Sequence, residues 1–131
     1  MKPLSAIIHP CGFMVIVNFG LEIKIFGIVS SDLSELVAIK TSDICIELKY
    51  SNSAHVLVSN EKSMIKLYEP FTLKCTGKVE PQDMRLEIIK SFISENGEFL
   101  VYQCSDFSVY RKTLNSIYSL SHDKVSVGEY L

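Results

Sequence analysis

The tightest constraint on this chain is a pattern that returns about every 42 residues. Ile23-Lys24-Ile25-Phe26, Ile65-Lys66-Leu67-Tyr68 and Phe107-Ser108-Val109-Tyr110 line up, so an aromatic closes each block at Phe26, Tyr68 and Tyr110, with both intervals 42. A second landmark keeps the same step. His9-Pro10-Cys11-Gly12, Ser51-Asn52-Ser53-Ala54 and Ser94-Glu95-Asn96-Gly97 each precede an apolar run, and Gly12, Ala54 and Gly97 lie 42 and 43 apart. A single chance match would not place two landmarks of different local chemistry on one period.

Each unit reads as four short strands. In the first, Ser5–Ile8, Phe13–Phe19, Glu22–Ile28 and Glu35–Lys40 are separated by the His9–Gly12 turn, by Gly20-Leu21 and by a Ser30-Ser31-Asp32 loop. Cys45–Tyr50, Val56–Ser59, Met64–Glu69 and Leu73–Val79 form the second, with a polar Asn60–Ser63 turn and Pro70 closing the third strand, because proline has no N–H for a ladder. The third contains Leu86–Ile93, Phe99–Cys104, Phe107–Lys112 and Ser116–Leu120, with Asn96-Gly97 as a turn, since both residues tolerate positive φ. From Ser121 the tail is polar and is expected to be loosely held. No segment shows helical periodicity.

A period of about 40–45 residues with four strands per unit points to an all-β fold of WD40-like propeller blades. The blades span 5–40, 44–79 and 86–120, followed by the tail 121–131. Closed propellers hold 4–8 blades, so three make an incomplete propeller with two apolar faces uncovered. At roughly 25 cal/mol per Å² of apolar surface, such faces demand a partner: missing blades or a second copy. A first unit that starts almost at Met1 favours a portion of a larger propeller.

Composition narrows the function. Net charge is −2 with no basic stripe, which argues against nucleic acid and against anionic membrane surfaces. Phe13 to Val29 is very apolar, but Glu22, Lys24, Gly20 and Gly27 interrupt it, and it is shorter than a membrane span requires. Cys11, Cys45, Cys75 and Cys104 are widely spaced, and the chain has no glycosylation sequon. Reduced thiols in a cytoplasmic protein follow.

The stretch His9-Pro10-Cys11-Gly12-Phe13, the apolar strand after it, Asn18-Phe19-Gly20 and Glu22-Ile23-Lys24-Ile25 resembles a blade of the ciliary WD-repeat proteins. Those blades open with a His-Pro-x-Gly turn. Tyr50-Ser51-Asn52-Ser53-Ala54-His55 before Val56-Leu57 is similar to their following blade, where Phe-Ser-x-Gly-Gly-His occupies the same place. The resemblance covers roughly residues 5–70. This chain departs from the family in lacking Trp: Phe26-Gly27, Tyr68-Glu69 and Tyr110-Arg111 stand where a Trp-Asp pair is usual, and the Gly-His pair is missing. The resemblance implies a structural or regulatory role in a cilium or flagellum axoneme, with dynein-regulatory components as partners.

Chemistry is sparse. His9, His55 and His122 with the four cysteines lack the paired Cys spacing of zinc sites, and buried apolar thiols explain the cysteines. His9 is expected to order its turn by bonding to nearby backbone. Ser31, Asp32, His55 and Asp106 could form a hydrolytic set only by accident, because no Gly-x-Ser-x-Gly elbow accompanies them. Glu80 and Asp83 read as solvated loop acids, and no Gly-rich phosphate loop exists. Lys24 and Lys66 read as outward charges on alternating strands that also guard an edge, while Phe26, Tyr68 and Tyr110 pack between blades. No catalytic, cofactor-binding or metal residue is therefore assigned.

The function expected is a non-enzymatic protein-binding scaffold. It would present His9–Gly12, Asn52–His55 and Glu95–Glu98 on one rim, with Asn60–Ser63 and Ser105–Asp106 at the other ends of the strands. Two rivals stay open: a non-ciliary WD40 adaptor in trafficking or ubiquitin ligation, and a small β enzyme or ligand-binding protein.

Overall fold

The computed structural model describes residues 2–51, 53–94 and 98–114, together with the backbone of 123–125. Twelve strands fall into three antiparallel four-stranded sheets, with no helix among the described residues. The first sheet holds β1 (Ser5–Ile8), β2 (Met14–Asn18), β3 (Glu22–Val29) and β4 (Asp32–Lys40). β5 (Glu47–Tyr50), β6 (Leu57–Asn60), β7 (Ile65–Tyr68) and β8 (Cys75–Val79) make the second, and β9 (Ile88–Ile93), β10 (Phe99–Cys104), β11 (Val109–Thr113) and β12 (Asp123–Val125) the third. Every sheet is a meander whose strands lie in sequence order.

The 42-residue period is visible in backbone bonds. The His9 N–H donates to Met14 O at 2.9 Å, Ser51 N–H to Val56 O at 2.8 Å, and Ser94 N–H to Phe99 O at 2.9 Å. Gly12 N–H donates to His9 O and Ala54 N–H to Ser51 O, both at 2.8 Å, and both donors have positive φ (80° and 59°). Glycine takes that conformation at no steric cost; Ala54 takes it against its Cβ sterics. The turn expected at Glu95-Asn96-Gly97 lies outside the described residues, as do Asn52, Ser116–Leu120 and His122.

Many strand ends shift from the sequence reading by one or two residues, and two strands differ by more. Asp32 is not loop: it pairs with Val29, which leaves a two-residue Ser30-Ser31 turn with Ser30 at φ 56°. The fourth strand of the third sheet is Asp123–Val125, paired with β11, within the segment read as a loose tail. A polar strand of this kind shows no apolar alternation to announce it.

Alternation gives each sheet two faces. The face toward the following sheet is called forward, the other backward. Met14, Ile16, Ile23 and Ile25 on the first sheet's forward face pack against Leu48, Leu57 and Tyr68 on the second sheet's backward face. Val58, Ile65, Leu67 and Val79 on the second sheet's forward face pack against Leu100, Tyr102 and Tyr110 of the third. Matching backbone bonds seal the two joints: Cys45 N–H to Gly20 O at 2.7 Å and Ile88 N–H to Lys62 O at 2.8 Å. The donors lie 43 residues apart and the acceptors 42, so the joints are two copies of one geometry.

Candidate functional site

The polar turn after β6 is not a surface loop. Asn60 and Glu61 are fully buried. Glu61 Oε1 accepts the Ser42 N–H at 2.7 Å, and Oε2 accepts the Ser59 and Tyr68 hydroxyls, both at 2.9 Å. Lys66 Nζ lies 3.7 Å from Oε1 with its side chain 12% exposed. Lys66 is thus not the outward charge its alternation suggested, because its face of the second sheet is covered. Ser59 Oγ also lies 3.2 Å from Cys45 Sγ. Burial pushes the Cys45 thiol up to about 11 and, with the neighbouring Glu61 carboxylate, holds the Tyr68 phenol well above its usual range. These groups tie the link between the first two sheets to the second sheet's hairpin. A buried charge must be paired and bonded, and this one is, so the network holds the joint in register and is closed to outside ligands.

At the opposite strand ends, His9 orders its turn as expected: Nδ1 accepts the Cys11 N–H at 3.1 Å. Its ring lies edge-on to Tyr50 (centroids 5.1 Å apart) and tilted against Phe71 (5.0 Å). His55 is exposed. Asp32 and Asp106 are exposed as well, and Asp106 bonds its own turn at Ser108. Ser31 and Asp32 share the β3–β4 hairpin of the first sheet, while His55 and Asp106 stand on turns of the second and third, so the accidental hydrolytic set is not brought together. Asp83 is held by Arg85, 3.0 Å away, which keeps its carboxyl below the ordinary range; Glu80 is exposed. No disulfide forms among the cysteines. Cys45 and Cys104 are buried, whereas Cys11 and Cys75 are exposed, so only two of the four fit the apolar-thiol reading. Among the described residues no group of three His, Cys, Asp or Glu side chains could hold a metal, and no helix is long and apolar enough to cross a membrane.

What remains is a surface. Tyr68 and Tyr110 are buried on backward faces, each against the preceding sheet. Phe26 holds the same place on the first sheet, whose backward face no described element covers. Phe26 is only half-buried and does not pack between sheets as expected. Around it, Val15, Val17 and Ile28 are half-buried, and Phe13 (71% exposed), Ile8 (64%) and Leu33 (60%) are open. Lys24 bonds Glu35 across this face at 2.8 Å and lies 5.7 Å from the Phe19 ring centroid. Contiguous apolar patches of this kind mark interaction sites. Sequence alternation assigned the face but could not show which sheets have neighbours.

No protein-family model matches the chain, and a search of curated proteins finds no significant match.

Proposed function

We propose that the protein is a non-enzymatic protein-binding scaffold whose three sheets are consecutive blades of a WD40-like propeller. The observation that carries this reading is the serial stacking of three meander sheets through two joints of the same geometry. Blades cannot bury their faces alone and pack against their neighbours, which suits an apolar first face that lacks one among the described residues. Rigid stacking also holds the strand-end turns in fixed positions, where binding residues concentrate on such scaffolds.

The resemblance of residues 5–70 to ciliary WD-repeat proteins directs the proposal to an axonemal complex with dynein-regulatory components as partners. Tagging the protein in ciliated cells tests it. Axonemal or basal-body signal, with axonemal proteins recovered by proximity labelling, supports the proposal. Diffuse cytoplasmic signal with trafficking or ubiquitin-ligase components overturns the ciliary part and favours a non-ciliary adaptor.

A further inference from the structure

Each joint in this molecule joins an aliphatic forward face to a backward face closed by an aromatic. Ile23 and Ile25 meet the face of Tyr68, while Ile65 and Leu67 meet that of Tyr110. The first sheet offers the next copy of that backward face, closed by Phe26, with no described neighbour. Its natural occupant is a forward face carrying β-branched aliphatics on the hairpin strands.

The third sheet has such a face. Tyr102 and Tyr110 point back toward the second sheet, so Val101 and Val109 point forward by alternation, with Phe92 and Phe99 beside them. All four are half-buried or exposed. Lys90 and Arg111 share that face, and Glu22 and Glu35 share the Phe26 face alongside Lys24 and Lys40. The Phe26 face is thus charge-balanced, with Glu35 already paired to Lys24, and its contact with the basic third-sheet face rests on the apolar side chains.

We propose that the Phe26 face docks a second copy of this chain through the forward face of that copy's third sheet. The proposal rests on the blade reading above and continues the two joints already present. The contact is heterologous, so it either closes or runs on as a filament. Two copies of three blades make six, within the 4–8 at which propellers close, so the pair closes on itself.

Light scattering of the full chain, together with binding of a hydrophobic dye, tests this. The expected result is a particle of about twice 14.8 kDa at micromolar concentration. Phe26→Lys and Val101→Lys each change a side chain that is not fully buried, so the fold is retained, as circular dichroism would verify. Each should weaken pairing at least ~30-fold, the equivalent of one interface hot spot. Mixing the two variants should restore a two-chain particle, because one intact pair of faces remains. A wild-type dimer untouched by either substitution overturns the assigned faces. A wild-type monomer whose dye binding falls on Phe26→Lys overturns the second copy but keeps the blade reading, with blades of another polypeptide as occupant. A monomer whose dye binding ignores Phe26→Lys overturns the docking face itself.

Discussion

In the second sheet, β6 is buried at all four positions, whereas its counterpart in the first sheet, β2, alternates between buried and half-buried residues. Both belong to meanders on the same period. The difference lies in neighbours: among the described residues the second sheet has one on each side, the first on its forward side only. The backbone position after the second strand makes the contrast sharp. Phe19 and Glu61 each donate their N–H across a hairpin turn, at 2.8 and 2.9 Å, and lie 42 residues apart. Phe19 sits half-exposed on an uncovered face, while Glu61 is sealed in a joint. Burial here follows position in the stack more than residue type.

The largest effect should come from breaking the sealed charge. Glu61→Ala strands Lys66 and leaves the Ser42 and Tyr68 donors unbonded. Losing one partner of a buried pair costs about 3–5 kcal/mol, read as a lower denaturant midpoint; Glu61→Gln, which keeps an acceptor, should lose less than half of that. The next contrast is apolar. Leu57→Ala, in the joint, should cost about 3 kcal/mol, against under ~1 kcal/mol for Val17→Ala on the open face. Equal losses would erase the distinction between covered and uncovered sheets.

Alkaline titration probes the joint differently. The folded state holds Cys45 protonated up to about 11, above its usual value near 9, because burial disfavours the thiolate. The unfolded chain gives up that proton first, so stability is full below pH 9 and falls through pH 11. Its size is on the order of 2 kcal/mol. In ellman-type labelling of the native protein, Cys11 and Cys75 should react while Cys45 and Cys104 stay silent until unfolding. The smallest effect belongs to Lys62, held at φ 58°. Lys62→Gly should change stability by no more than ~1 kcal/mol, in the stabilising direction.

Much of the fold was legible because the period sits in residues that make it. The turns at His9, Ser51 and Ser94 carry side chains or backbone conformations that the sequence announces, and burial alternates along β2 and β3. Glu61 was not legible. An acid in a polar Asn-Glu-Lys-Ser turn looks solvated, and only its partners show otherwise: Ser42 is 19 residues away and Tyr68 belongs to the paired strand. Lys66 misled for the same reason, since alternation gives a side chain's face but not what covers that face. Phe26 was placed between sheets by analogy with Tyr68 and Tyr110, yet as the first of the series it has no preceding sheet among the described residues.

Native-state hydrogen exchange, followed strand by strand, tests the central claim that, among the described residues, the middle sheet is braced on both faces and the first on one. Opening free energies should reach the global value for β6 amides, with amides of β2, its counterpart in the first sheet, exchanging faster through smaller openings. Equal protection across the first and second sheets would contradict the account.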